Sequence, residues 1–150
     1  MTFARLIASG CGTGFAPVAA GTAASAAAVL VGGGLLLMSP YLLGAAALLA
    51  CGGGFWAIRG ARVDGDPGWV VIDEVAGQWI ALLGLGRVTP VGLLAAFALF
   101  RLFDITKPGP VGWADRQHGA FGIMADDAIA GAIAAAILYA ARLCWPGAGL

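Results

Sequence analysis

The chain has 150 residues, of which 61% are hydrophobic and only 11% charged. These values lie outside the range of soluble domains and predict an integral membrane protein that forms one domain over residues 1–150. The net charge is zero, so we expect no nucleic-acid partner. The three cysteines are widely spaced, which disfavours a disulfide framework and a zinc site.

Five apolar runs predict an all-α membrane bundle of about four to five spanning helices. They cover residues 23–38, 41–58, 70–85, 91–103 and 128–143. Ser39 and Pro40 separate the first two runs, and a short loop over 86–90 separates the third from the fourth. Each run is shorter than the ~20 residues that cross a bilayer unaided, so flanking residues must extend the helices. The many glycines and alanines favour close helix packing in lipid.

The lysines and arginines predict the orientation of the bundle, because basic residues concentrate in cytoplasmic loops. With five spans and a cytoplasmic N-terminus, six of the eight lie on the cytoplasmic side: Arg5, Arg59, Arg62, Arg101, Lys107 and Arg116. Arg87 and Arg142 lie on the other side. The same topology places every acid in or near the two cytoplasmic loops: Asp64, Asp66, Asp73, Glu74, Asp104, Asp115, Asp126 and Asp127.

Two pairs of adjacent acids stand where apolar runs begin. Asp73 and Glu74 lie near the start of the run over 70–85, and Asp126 and Asp127 directly precede the run over 128–143, and a helix start favours an anion. Helix capping explains one acid at each place but not two. Ionisable groups at the membrane boundary are candidates for function, and carboxylates without a cysteine cluster suit a hard ion such as Mg²⁺ bound together with a substrate phosphate.

Asp104 ends a run, where the helix dipole disfavours an anion, so we expect a cation beside it. Arg101 and Lys107 are each three residues away, and a metal ion is the third possibility. Lys107 is the single lysine and a candidate phosphate contact, although a solvated loop lysine explains it equally well. A glycine-rich segment over 10–25 contains Gly21 and Thr22 at the start of the first run, where backbone N–H groups can hold phosphate. A flexible entry into the membrane is the alternative explanation.

Three motifs resemble, in this order, those of the phosphatidylglycerophosphatase A family. They are I-D-E-x-x-G-Q at 72–78, F-D-x-x-K-P at 103–108 and G-I-M-x-D-D-x-x-A-G at 122–131, and the likeness extends over about residues 10–137. The resemblance implies a multi-pass enzyme of the bacterial inner membrane with its active face toward the cytoplasm. It also implies the reaction, a Mg²⁺-dependent hydrolysis of the phospholipid phosphatidylglycerophosphate to phosphatidylglycerol and phosphate, the last step in making that membrane lipid.

The resemblance also supplies the candidate site. The family's acidic positions fall on Asp66, Asp73, Glu74, Asp104, Asp126 and Asp127, and its basic position falls on Lys107. As metal ligands we predict Asp73, Glu74, Asp126 and Asp127. As catalytic residues we predict Asp66, Asp104, Lys107 and Asp127. As substrate contacts we predict Gly21, Thr22, Ser25 and Lys107. The family's P-G-T-x-G-S reads A-G-T-A-A-S at 20–25, which weakens any role that needs the full glycine and proline pattern.

Other membrane functions share some of these features. A small carboxylate-lined transporter or cation-coupled channel needs acids at mid-membrane and in both halves, whereas here they gather at one face. A CDP-alcohol phosphotransferase needs a D-G-x-x-A-R opening, which the D-G-D-P sequence at 64–67 does not supply. A purely structural bundle leaves the two acid pairs unexplained.

Overall fold

A computed structural model describes residues 2–63, 65 and 67–150 and confirms the predicted all-α fold. Helices and turns, without any strand, make up these described residues. The helices are α1 (Phe3–Ala8), α2 (Ala20–Met38), α3 (Pro40–Gly60), α4 (Ile72–Leu82), α5 (Pro90–Thr106), α6 (Pro110–Asp115) and α7 (Gly119–Cys144), with a 3₁₀ turn at Thr13–Phe15.

The predicted break between the first two runs is a one-residue turn. Ser39 is extended, and its hydroxyl accepts a hydrogen bond from the backbone N–H of Tyr41 at 3.2 Å. Pro40 then occupies the first turn of α3, where its fixed φ suits a helix and its missing N–H is not needed. The sequence Ser-Pro therefore ends one long helix and starts the next.

Three helices, α2, α3 and α7, are long and apolar enough to cross a membrane. α5 has 17 residues, about 26 Å of helix. α4 has only 11 residues, about 16 Å, roughly half the thickness of a bilayer core. The predicted count of four to five spans is therefore approximate, and the run over 70–85 is a short helix packed against α7, α3 and α2. Large side chains such as Leu30, Leu48 and Leu94 point outward and form a surface suited to lipid.

The backbones of α4 and α7 touch where the two helices cross. A Cβ atom at Gly131 would lie 2.2 Å from the carbonyl oxygen of Gly77, and one at Gly77 would lie 2.6 Å from that of Asp127. Only glycine permits such an approach. Gly77 follows Asp73 by four residues, and Gly131 follows Asp127 by four. The crossing therefore brings the acids one turn before each glycine side by side.

α7 begins at Gly119, nine residues before the apolar run from which it was predicted. Asp126 and Asp127 consequently lie in the third turn of the helix, and the expected dipole stabilisation at a helix start is wrong, because that effect fades within the first turn. Gly122 permits the early start. A Cβ atom at this position would lie 2.0 Å from the carbonyl oxygen of Gln117. Only glycine therefore allows the first turns of α7 to pack against the backbone that precedes the helix.

Candidate metal and phosphate site

Three carboxylates from two helices converge at the crossing of α4 and α7. Asp73 and Glu74 stand in the first turn of α4, and Asp127 comes from α7. One oxygen from each of the three lies within 4.8 Å of the others. Asp127 is 2% exposed and Asp73 is also buried, so water reaches this cluster poorly.

The cluster suits a bound cation. Buried carboxylates at such distances repel one another, and a positive charge among them removes that cost. Glu74 also has a buried side-chain oxygen, Oε2, without a hydrogen-bond partner among the described residues. An all-oxygen donor set of this kind fits hard divalent ions such as Mg²⁺, Mn²⁺ or Ca²⁺. Asp73, Glu74 and Asp127 can therefore hold a metal ion.

Arg101 and Asp104 form the edge of the cluster on α5. They make an ion pair one turn apart, which confirms one of the two pairings expected for Asp104. The charge of Asp104 acts on both Glu74 and Asp127, so Asp104 lies beside these two acids of the cluster. Arg101 also donates a hydrogen bond from Nη2 to Oγ1 of Thr22 on α2, at 3.4 Å. A cation thus stands at the rim of the site.

Lys107, the other side chain that could have paired with Asp104, instead pairs with acids on the other side of the site. Its Nζ donates to Oδ2 of Asp126 at 2.8 Å and also to Asp115. Lys107 ends α5 in the left-handed conformation, with φ of 45°, which turns the chain out of the α5 register. Burial opposes the charge on Lys107, but the hydrogen bonds to Asp115 and Asp126 and their charges outweigh burial and raise its pKa. Lys107 therefore remains a cation at neutral pH.

Asp126 lies apart from the three-acid cluster, although all four acids were predicted together. Neighbouring residues of a helix point in directions about 100° apart. The Asp126 carboxylate binds Lys107 and accepts the backbone N–H of Asp127 at 2.9 Å. It lines an open cavity of about 510 Å³ together with Asp115, Arg116 and His118, which offers polar space next to the acids.

The remaining predicted residues occupy different positions around the site. Gly21 packs directly against Glu74, because a Cβ atom there would lie 2.1 Å from Oε1 of that side chain. Thr22 is exposed and bonded to Arg101. Ser25 is buried, and its hydroxyl donates to the carbonyl oxygen of Gly21 at 2.8 Å, which supports the first turn of α2. Asp66 lies outside the described residues.

Gln78 is a site candidate that the sequence reasoning missed. It lies one turn beyond Glu74 on α4 and is fully buried, and neither of its amide atoms has a hydrogen-bond partner among the described residues. Burying an amide without partners is costly. The signal in the sequence was an amide within an apolar run, in the same motif as Asp73 and Glu74.

Arg101 is the second residue that was missed, since it was considered only as a partner of Asp104. The structure places its guanidinium between α5 and the start of α2. The signal was an arginine within an apolar run, three residues before an acid.

Comparison with known proteins identifies relatives of this sequence. Residues 6–142 match the family described as phosphatidylglycerophosphatase A. Phosphatidylglycerophosphatase A of Escherichia coli is 45% identical over 82 residues, which cover 54% of this chain and 48% of that protein. The protein of the same name from Haemophilus influenzae is 42% identical over 76 residues, 50% of this chain and 47% of its own. These matches thus span about half the length of each relative.

A third relative matches over nearly the whole chain. This protein of Bacteroides thetaiotaomicron, named as a candidate phosphatidylinositol-3-phosphatase, is 35% identical over 146 residues, which cover 91% of this chain and 92% of that protein. No solved structure matches significantly. With its family match over residues 6–142, the chain belongs to the phosphatidylglycerophosphatase A family.

Proposed function

We propose that this protein is a membrane lipid phosphatase that hydrolyses phosphatidylglycerophosphate to phosphatidylglycerol and phosphate, with Mg²⁺ as its metal. The observation that carries this proposal is the convergence of Asp73, Glu74 and Asp127, with Arg101 and Lys107 near them. Acids and cations meet at one end of a membrane bundle, where the headgroup of a lipid lies. The acyl chains can stay in the bilayer while the phosphate reaches the acids.

Hydrolysis of a phosphate monoester needs very large rate acceleration, up to ~10²¹-fold. The oxygen of a water molecule bonds to phosphorus, the bond between phosphorus and the glycerol oxygen breaks, and that oxygen takes up a proton. Asp73, Glu74 and Asp127 would hold Mg²⁺, which would act as a Lewis acid on the phosphate and lower the pKa of a bound water. Lys107 and Arg101 donate hydrogen bonds to phosphate oxygens and stabilise their charge.

The other predicted residues act around that centre. Asp104, beside the acid cluster, orients the water or accepts its proton, and Asp66 is the second candidate for this role. Asp126 contributes through Lys107, which it holds beside the cavity. The backbone N–H groups of Gly21 and Thr22 in the first turn of α2 bind the phosphate, and the hydrogen bond of Ser25 stabilises that turn.

We infer that the acid end of the bundle faces the cytoplasm, in the inner membrane of a bacterium. The ends of α4 and α5 with Glu74 and Arg101 meet there. Arg87 and Arg142 line a cavity at the opposite end of the bundle together with Leu37. The excess of basic residues at the acid end supports this orientation.

A phosphoinositide is the second candidate substrate. It is favoured by the Bacteroides relative, whose match covers more of both chains than the other two. Both substrates are lipid phosphate monoesters and need the same chemistry. A transporter is supported less well, because Asp73, Glu74, Asp104 and Asp127 meet at one end of the helices.

Phosphate release by the detergent-purified protein tests the proposal. Phosphatidylglycerophosphate and phosphatidylinositol 3-phosphate are each supplied with Mg²⁺ or with excess EDTA. We expect Mg²⁺-dependent release from the first lipid, lost in Asp127→Asn and kept in Asp64→Asn, the same change at an acid that has no assigned role. Release from the second lipid alone would favour the phosphoinositide. A folded protein that releases phosphate from neither is not this enzyme, and cation flux in liposomes then tests the transporter.

A further inference from the structure

An apolar groove runs between α2 and α5 on the outer surface of the bundle. Its walls come equally from the two helices: Ala26, Val29 and Leu30 on α2, and Leu93, Leu94 and Phe97 on α5. Its volume is about 260 Å³. Leu30 and Leu94 at its rim are 74% and 68% exposed, so the groove opens toward the surroundings of the protein.

The groove leads to the hydrogen bond between Arg101 and Thr22. Thr22 precedes Ala26 by four residues, and Arg101 follows Phe97 by four. Residues at this spacing lie on one face of a helix. The bond from Arg101 Nη2 to Thr22 Oγ1 therefore crosses from α2 to α5 about one turn above the apolar walls. The groove itself extends along about 6 Å of α5, from Leu93 to Phe97.

The same bond joins the groove to the acid cluster. Arg101 pairs with Asp104, and its charge acts on Glu74. The side chains of Arg101 and Asp104 are 17% and 14% exposed, whereas Asp127 is 2% exposed. The cluster is thus more open at the rim above the groove than at Asp127.

We propose that the groove between α2 and α5 binds an acyl chain of the lipid substrate, whose phosphate lies beyond Arg101 and Thr22 against the acids. This deepens the proposed function and rests on it. An apolar channel headed by a cation matches the two parts of an anionic lipid, and binding sites commonly combine apolar walls with a few polar groups that fix orientation. The groove runs from the acid end toward the interior of the bilayer, the direction that an acyl chain takes.

The test compares a lipid substrate with the same headgroup without acyl chains. The full-length protein in detergent is assayed with dioleoyl phosphatidylglycerophosphate and with deacylated glycerophosphoglycerophosphate. Ala26→Phe and Leu94→Trp each fill the groove from one helix. We expect each to lower the ratio of kcat/KM values, lipid over deacylated substrate, by about tenfold, the effect of losing one to two buried methylene groups.

Matched controls place the same side chains elsewhere on the lipid-facing surface. Ala45→Phe and Leu48→Trp lie at exposed positions of α3 and should keep the wild-type ratio. Having two groove variants on separate helices covers the case in which one of them does not fold. An unchanged ratio in a folded groove variant, or an equal fall in the controls, would overturn the proposal that the groove binds an acyl chain. Neither result would contradict the proposed phosphatase activity. No release from either substrate by the wild type would remove both proposals.

Discussion

A single methyl group at Gly21 should strongly lower the proposed phosphatase activity without unfolding the protein. A Cβ atom at this position would lie 2.1 Å from Oε1 of Glu74 and 3.0 Å from its Cδ, while ordinary contact begins at 3.4 Å. To reach ordinary contact in Gly21→Ala, Oε1 of Glu74 must retreat by about 1.3 Å, the difference between 3.4 Å and 2.1 Å. The side chain is flexible, so the movement itself is cheap. Gly21 lies in a helix, where alanine is otherwise stabilising.

The functional cost of that movement is large. Metal ligands tolerate displacements of about 0.2 Å, and a misplacement of about 1 Å can cost ~10²-fold in rate. We expect Gly21→Ala to lower kcat about 100-fold and weaken the response to Mg²⁺, with an unchanged or slightly higher unfolding temperature. Gly34→Ala is the control on the same helix, because a Cβ atom there meets nothing within 4 Å. A folded Gly21→Ala protein with wild-type kcat and Mg²⁺ response would show that Glu74 is not a ligand.

Three further perturbations test the fold and the charges. Gly131→Ala should destabilise the protein by about 3 kcal/mol through overpacking, measured by denaturation against Gly53→Ala, where a Cβ atom meets nothing within 4 Å; equal stability would contradict the α4–α7 crossing. Lys107→Met should lower the free energy of unfolding by about 2 kcal/mol, between the values for exposed and buried ion pairs. Adding Asp126→Asn to the same chain should recover part of this loss. The pKa of Lys107 is raised in the folded protein. Its contribution to stability is therefore present below the unfolded pKa of about 10.4 and is lost only as the pH rises through the folded pKa. This contribution should stay constant from about pH 6 to pH 9. In metal-free buffer Asp127→Asn should raise the unfolding temperature by removing a buried charge, and saturating Mg²⁺ should stabilise only the wild type, by about 2.7 kcal/mol at 100 times Kd.

Local patterns in the sequence were enough to predict the five longest helices, whereas the short helices α1 and α6 lie outside the predicted runs. Hydrophobic runs gave the all-α membrane bundle, and the pair Ser39 and Pro40 gave the turn between α2 and α3. The length of α4 was not accessible in this way, because a run of apolar residues looks the same in a spanning helix and in a short helix at the centre of a bundle. The extent of α4 depends on its neighbours α2, α3 and α7.

The members of the site were easier to predict than their arrangement. Motifs supplied Asp73, Glu74 and Asp127, which the structure brings together. That Asp126 points instead toward Lys107 depends on the rotational phase of α7, and a shift of one residue in a helix turns a side chain by about 100°. The partner of Lys107 depends in turn on the left-handed residue that ends α5. Such long-range geometry has no local signature.

The faint repeat of D-E-V-A-G at 73–77 in D-A-I-A-G at 127–131 now has a physical explanation. In each segment an acid precedes by four residues the glycine at which α4 and α7 touch. The glycines bring the backbones into contact, and this contact fixes the distance between the acids one turn away. Three carboxylates, two of them buried, resist such an approach, so the packing energy of the crossing must hold them together until a cation binds. The same crossing thus serves the fold and sets the geometry of the site. A larger residue at Gly77 or Gly131 should therefore impair both the stability of the fold and the metal site. Asp127→Asn should impair the metal site alone.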